Sequence, residues 1–491
     1  MNFLLAASLI LASCGSFWAH RATRSWERPE ECRLLFQRLD EAVTEAGVRD
    51  AASSDVPGFP YLRVNRFLLA LKKDLGNETA RDQWTRWMRV LDLQGRRVEI
   101  ANLPAEAILS LAGPEAGQPA RDPLYSLVES CSSHMLSQDH TREDFYPALE
   151  AQVGVPDDYS SFLRIIGLYP LAAIPFYMGT DHVQQRAQNW FSADLEKLPL
   201  KGRLRAFVPE ENASLDDLEK EKLIRRAREN PLGIPLPQGG AQERLVRSFA
   251  PVFLQDVAAP YDYPGRVVWK GDRAEIDPDQ PTVYFYFSHA FLKEEPVLQI
   301  NYVAWYSARA GKRPPWFELG HLDGLTVRIS LDGRGKPFMV DVINNCGCYH
   351  FFAPKAEGME KKIRQPSGLD PFVPQWLPII PPGERLGVRV NSGWHQVERL
   401  LPAREMPDPV PYRLLPYEEL ESMAREGGRR ESLFDSRGIA KGTERVERFI
   451  FFPMGVPSVG SMRQRGHHAI EFIGRAHFDD PDLFNQNFVF R

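Results

Sequence analysis

The run Asn344-Asn345-Cys346-Gly347-Cys348-Tyr349-His350 sets two thiols and an imidazole at every second position. In an extended strand all three would face one side, about 6.5 Å apart. That is too far for a closed chelate, whose thiolates lie about 2.3 Å from zinc. Gly347 can fold the segment and bring the sulfurs together. With that bend and a fourth ligand from elsewhere, Cys346, Cys348 and His350 suit Zn or Cu(I). Without a metal, the two thiols suit redox exchange or nucleophilic attack. The plainer alternatives are thiols buried in a sheet, a disulfide between the two, or bonds to distant cysteines. The spacing is not that of haem attachment, which needs two residues between the cysteines.

Two further clusters hold candidate groups. Arg465-Gly466-His467-His468 is followed by Arg475-Ala476-His477-Phe478-Asp479-Asp480-Pro481. Adjacent His467 and His468 point to opposite faces of a strand, and His468 and His477 are an odd number apart, so one metal reaches both only across a turn at Gly474. Otherwise one histidine is exposed, one is satisfied in a core, and Asp479 opens a turn. In Glu318-Leu-Gly-His321-Leu-Asp323-Gly324, Glu318, His321 and Asp323 could serve as base, shuttle and orienter. Asp323-Gly324 is as naturally a turn. No phosphate-binding Gly-rich loop, nucleophile elbow or His-Glu-x-x-His helix occurs.

The elements that must position these groups change character along the chain. Leu34, Leu35, Leu39, Ala42 and Val43 recur at helical spacing after Pro29. The phrase Pro57 to Phe67 reads as a turn and then a helix to Leu75, with Arg63 and Arg66 solvated or paired. A third helix carries Trp84 and Trp87, and others are expected near 122–137, 158–168 and 181–196. Ser214 opens a capping-box pattern before a charged helix. Residues 230–241 are rich in Pro and Gly and mark a boundary. Strands follow at Thr282–Phe287 and Val297–Tyr306. Leu325, Val327, Ile329 and Leu331 alternate with Thr326, Arg328 and Ser330, a strand with one buried face. Asp332-Gly333-Arg-Gly335 turns it into a partner at Phe338–Ile343. Leu386, Val388 and Val390 alternate again, residues 416–431 read as a helical insertion, and strands near 444–452 and 467–474 rejoin the sheet.

At the start of the chain, an apolar run of about ten residues from Leu4 to Ala12 is too short to span a bilayer, which takes about 20. It suits the apolar core of a secretory signal peptide. The run ends in Leu11-Ala12-Ser13-Cys14-Gly15, which resembles the lipobox of bacterial lipoproteins, although no Lys or Arg precedes it. That resemblance implies cleavage before Cys14, lipidation of its thiol and, with Gly15 next, the outer membrane facing the periplasm. The body of the chain resembles uncharacterised bacterial envelope proteins in its Pro57–Phe67 and Cys-Gly-Cys-Tyr-His phrases, a likeness that implies no activity.

The 491 residues imply two or three domains, and 43% hydrophobic with 25% charged residues is ordinary for a globular chain. A net charge of −5 lacks the basic signature of nucleic-acid binding. Beyond Cys14, the four cysteines 32, 131, 346 and 348 allow three pairings, of which Cys32 with Cys131 is the simplest. The expected architecture is α+β. It comprises a signal peptide (1–13), a lipidated tether (14–30), a helical domain (31–230) and a β-rich, antiparallel, sandwich-like domain (246–491). The expected function is a lipid-anchored envelope protein that binds or scaffolds a protein or polymer partner. The alternative is a periplasmic metal-dependent hydrolase using Zn. That alternative requires at least three of Cys346, Cys348, His350, His321, His468 and His477 to converge. A deep pocket lined by His and carboxylates would count against the binding module.

Overall fold

The computed structural model describes residues 29–112, 121–211, 213–363 and 369–491. Cys14 and the leader lie outside them. The fold is α+β, in two compact units. The first takes the described residues up to Val155 together with Glu421–Arg437, and the second takes Pro156–Leu420 with Gly438–Arg491. The Pro-rich segment 230–241 therefore lies inside the second unit and is not the boundary.

The first unit is built from helices α1 (Pro29–Ala46), α2 (Arg66–Leu71), α3 (Glu78–Asn102), α4 (Ala105–Ala112), α5 (Arg121–Asp139) and α6 (Phe145–Gln152), with a hairpin of β1 (Ser54–Val56) and β2 (Phe59–Val64). The expected helix over 61–75 is thus a strand as far as Val64, with a helix only beyond Asn65, whose side chain caps it. Tyr61, Leu62 and Val64 are β-formers, and pairing with β1 overrides their helical spacing. Arg63 is buried and grips both oxygens of Glu99 at 2.7 and 2.9 Å. Gly95 makes room for it, since a Cβ there would fall 2.1 Å from its Nη1.

Cys32 on α1 and Cys131 on α5 form a disulfide, with Cα atoms 5.2 Å apart. The bond closes a sequence separation of 99 residues. Cys131→Ser is expected to destabilise the first unit by about 2–4 kcal/mol, because the open chain regains loop entropy. Urea unfolding of the variant against the oxidised parent measures this. Equal midpoints would show that the crosslink contributes nothing.

The second unit opens with helices α7 (Ser161–Ile166) and α8 (Tyr169–Ser192), followed by strand β3 (Arg203–Pro209) and helices α9 (Asp217–Ala227) and α10 (Gly240–Phe249). Asp216, not Ser214, caps α9, in a reciprocal capping box with Glu219. Strands β4 (Val252–Val257), β5 (Arg266–Lys270), β6 (Arg273–Asp277), β7 (Thr282–Leu292), β8 (Glu295–Arg309), β9 (Gly320–Leu331), β10 (Pro337–Asn344), β11 (Phe351–Pro354), β12 (Met359–Lys361), β13 (Leu386–Val390), β14 (Val397–Pro402) and β15 (Val410–Pro416) come next. The chain ends with α11 (Glu418–Glu421), α12 (Glu447–Phe451), α13 (Leu483–Asn487) and β16 (Phe488–Phe490).

Ten strands form one sheet in the order β11-β10-β9-β8-β7-β15-β3-β4-β13-β14. It is mixed: β15 runs parallel to both β3 and β7, and β13 runs parallel to β4. The purely antiparallel expectation is corrected there, because crossovers bring distant strands in beside each other. The helices α8, α9 and α10 belong to this sheet. Phe191, Ile224, Leu245 and Val246 share a core with Val283, Tyr302, Val327 and Val388. Helicity alone had assigned α8 and α9 to the first domain.

Both faces of β9 are buried, contrary to the one-sided expectation. Leu325, Val327, Ile329 and Leu331 join the main core. On the other face Arg328 binds Asp341 at 2.9 Å and stacks 3.5 Å from the ring of Phe478, and Thr326 bonds Asn345 at 2.8 Å. Residues 416–431 hold the short α11, a three-residue 3-10 turn at Glu426–Gly428 and two two-residue strands, Met423–Ala424 and Arg430–Glu431, so the expectation of one helical insertion is corrected. The expected strand at 444–452 is the helix α12, and 467–474 contributes only a bridge between Ala469 and His477.

Candidate functional site

One end of the sheet gathers the chemistry. In the antiparallel ladder, Arg309 closes β8 opposite Gly320 at the start of β9, and Leu325 of β9 pairs with Asn344 at the end of β10. After β10 the Cys-Gly-Cys run folds back. Gly347 donates to the carbonyl of Asn344 at 2.8 Å, and Asn344 donates to the carbonyl of Cys348 at 3.0 Å. Gly347 sits at φ +87°, and a Cβ there would lie 2.6 Å from the carbonyl oxygen of Ala469. Only glycine fits this turn. Asn345 locks it from below by accepting from Thr326, in space left by Gly324, where a Cβ would fall 2.0 Å from the Asn345 amide nitrogen.

Cys346 is buried and Cys348 half-buried, and neither is in a disulfide. Their thiols are close enough to influence each other's ionisation. Burial pushes the Cys346 thiol up. The Cys348 thiol and the guanidiniums of Arg309 and Arg445 outweigh this and bring it down to about 6. The Cys348 thiol is pushed up, first by its neighbour Cys346 and then by burial. An unperturbed thiol titrates near about 8.5. The two guanidiniums beside Cys346 therefore favour ionisation of the pair at that sulfur.

Beneath the pair is a buried charge network. Arg309 donates to both oxygens of Asp323, at 2.9 and 3.1 Å, and to Glu318 at 2.7 Å. Glu318 also accepts from the Trp394 indole at 2.9 Å and from the Tyr349 hydroxyl. Arg445 donates to the carbonyls of Glu318 and Leu322, each at 2.8 Å. His395 stands between Asp323 at 2.8 Å and Asp262 at 3.3 Å, stacked on Tyr306 with ring centres 3.9 Å apart. Burial opposes the charge on both partners. The arginines and His395 still hold Asp323 below the usual carboxylate range, while Asp262 and Asp323 hold His395 above the usual imidazole range.

The thiols open onto a cavity of about 580 Å³, whose surface is mostly apolar. Phe176 and Trp190 of α8, with Phe317, Trp394, Phe451 and Phe472, form much of its wall. Glu318 and Glu447 also line it. Glu447 lies on α12 with Gly460 pressed against it, and its Oε2 has no hydrogen-bond partner among the described residues. Burial, and then the charges of Cys346 and Glu318, push its carboxyl up to about 8. At neutral pH it carries a proton.

The sequence candidates divide. Glu318, Asp323, Cys346 and Cys348 come together. His321 does not: its Nε2 bonds the carbonyl of Ala274 at 2.7 Å. His350 borders the cavity, but its Nε2 is turned to Asp341 at 3.1 Å. His477 meets Asp158 at 3.3 Å, where His467 and not His468 joins it at 2.9 Å. His468 is buried against Phe478. The six proposed ligands thus do not converge, and among the described residues no three His, Cys, Asp or Glu are grouped to hold a metal ion. Arg309, Arg445, Trp394, His395 and Glu447 were missed. Only Asn391-Ser-Gly-Trp-His395 carried a signal, as a polar turn between two alternating strands. No family model matches this chain, and neither a curated protein nor a solved structure is similar to it, so the site rests on its own geometry.

Proposed function

We propose that the second unit carries out thiol–disulfide exchange, with Cys346 attacking and Cys348 resolving. The observation that carries this is the pair of free thiols folded back at the wall of a ligand-sized cavity, with Arg309 and Arg445 drawing the Cys346 thiol down. A binding or scaffold role alone makes no use of a stabilised thiolate.

In the first step the Cys346 thiolate attacks one sulfur of a bound disulfide RSSR′, the S–S bond breaks, and R′S⁻ takes the Glu447 proton and leaves as R′SH. Cys348 passes its proton to the Glu447 carboxylate and attacks the Cys346 sulfur. RS⁻ then leaves with that proton as RSH. The substrate gains two electrons and the pair becomes a disulfide, which a dithiol reductant resets. Run in reverse, the same steps oxidise a dithiol substrate, with a disulfide resetting the pair. The export expected from the Cys14 motif belongs to this proposal, because an oxidising compartment favours that direction.

The full chain is equilibrated in glutathione redox buffers, trapped by alkylation and read by mass spectrometry. A single two-electron transition between free thiols and a Cys346–Cys348 bond is expected. Cys346→Ser is expected to remove it and to remove rapid alkylation near neutral pH. Two thiols that stay unreactive at every poise would end the proposal.

A further inference from the structure

The second half of α8 turns one face to the cavity. His182, Val183, Arg186, Ala187, Trp190 and Phe191 follow helical spacing, and all line it. This half of the helix is anchored. Phe191 packs on Phe351 of β11 with ring centres 5.2 Å apart, and Arg399 donates to the Trp190 carbonyl at 3.1 Å. Trp394 meets the Trp190 ring edge-on at 5.9 Å and is itself fixed by its bond to Glu318.

The Arg186 guanidinium lies over both indoles, 5.3 Å from the ring centre of Trp190 and 5.1 Å from that of Trp394. Cation–π contacts orient the group but use none of its five N–H donors. No described residue accepts a hydrogen bond from it or pairs with its charge. The other charged groups at the cavity are engaged. Glu318 is held by Arg309, Asp370 and Glu471 each have a partner in the chain, and Glu447 carries its proton at neutral pH. His182, one turn before Arg186 on the same face, adds a second unengaged polar group.

The two ends of the cavity differ. Arg186 is exposed, whereas Cys346 and Glu447 are buried. Along the wall Phe176, Phe451 and Phe472 pack on one another, with ring centres 5.1, 5.5 and 6.2 Å apart. The space thus runs from a cationic rim, past aromatic rings, to the thiols.

We propose that the cavity selects disulfides or dithiols whose apolar, ring-bearing body carries a carboxylate, and that Arg186 is the residue that reads it. This ligand class rests on the exchange chemistry proposed above. A carboxylate matches the planar fork of a guanidinium, which can donate to both its oxygens. A neutral ligand of the same shape would fill the walls and leave the fork unused. A cationic one would meet Arg186 as a like charge.

A diaryl sulfide with a para-carboxylate on each ring tests recognition without exchange, because a thioether cannot be attacked as a disulfide is. Its hydroxymethyl counterpart is the neutral control. Titration calorimetry of the full chain is expected to show the carboxylate ligand bound about tenfold more tightly, the worth of one charge-assisted hydrogen bond. Arg186→Gln should erase that preference, and Arg186→Lys should keep part of it. Equal affinities in the parent overturn the proposal. So does an equal loss of both ligands in Arg186→Gln, which would mean that the side chain only packs on the indoles. The corresponding diaryl disulfides read the chemistry, through release of the aryl thiol. Cys346→Ser should abolish that release and keep the calorimetric preference. A preference without release in the parent would therefore sink the exchange reading alone, and release without a preference would sink the carboxylate reading alone.

Discussion

Arg309→Met is expected to cost the second unit about 3–5 kcal/mol, the range for removing one partner of a buried ion pair. Methionine keeps apolar bulk in place but leaves two carboxylates behind. Asp323 retains His395 at 2.8 Å and Arg445 at 3.5 Å. Among the described residues Glu318 retains only the neutral side-chain donors Trp394 and Tyr349. The loss therefore falls mainly on Glu318, and adding Glu318→Gln should recover more than about 1 kcal/mol of it, since the two residues are directly coupled. In the parent, Asp323 is held below its ordinary value of 3.8. Its contribution is present above that value and is lost as pH falls through the depressed one. Arg309→Met should weaken this acid sensitivity, because protonation then relieves unpaired charge. Urea unfolding at neutral and acid pH checks both statements, and a loss below about 1 kcal/mol would mean that Arg309 is not the hub. The same variant should raise the pH at which Cys346 alkylates, because one of its two guanidiniums is gone.

Glu447→Gln is expected to stabilise the protein at alkaline pH. The Glu447 carboxyl is pushed from 4.5 up to about 8. Below 4.5 both folded and unfolded chains carry the proton. Between 4.5 and about 8 only the folded chain does, so the parent loses stability steadily as pH rises, and above about 8 the full cost is present. Glutamine has no such cost. The difference between variant and parent should grow across that window to on the order of 3 kcal/mol, because each tenfold change in proton affinity is worth about 1.4 kcal/mol and the site relaxes somewhat around the charge. Thermal unfolding from pH 4.5 to 9 measures it. Parallel curves would mean that Glu447 ionises normally and supplies no proton to the thiols.

Much of the scaffold was legible because it depends on local patterns. Pro29 with Leu35, Leu39 and Val43 marks α1, and the alternation from Leu325 to Leu331 with Asp332-Gly333-Arg-Gly335 marks the β9–β10 hairpin. Periodicity failed where pairing competed with it. Tyr61 to Val64 has helical spacing but pairs with β1, and Val446 to Phe451 resembles a strand but coils into α12. Domain membership failed for another reason. A helix belongs with whatever its apolar face is buried against, and Ile224 of α9 meets strands that follow it in the chain.

The site divides along the same line. From the sequence alone came the pairing of Cys346 and Cys348 as a candidate, open between a metal site, a redox pair and buried structural thiols. Two thiols flanking a glycine can meet only if that residue turns, and the close approach of the Ala469 carbonyl to Gly347 is the physical form of that condition. What the pair can do was decided only by the tertiary structure. Arg309, Arg445 and Glu447 lie 37, 99 and 101 positions from Cys346. Long-range strand pairing and the return of the chain through α12 bring their charges to it, and burial makes those charges count. Sequence spacing specifies which atoms can react, whereas the protonation of Cys346 depends on a field assembled from residues far apart in the chain.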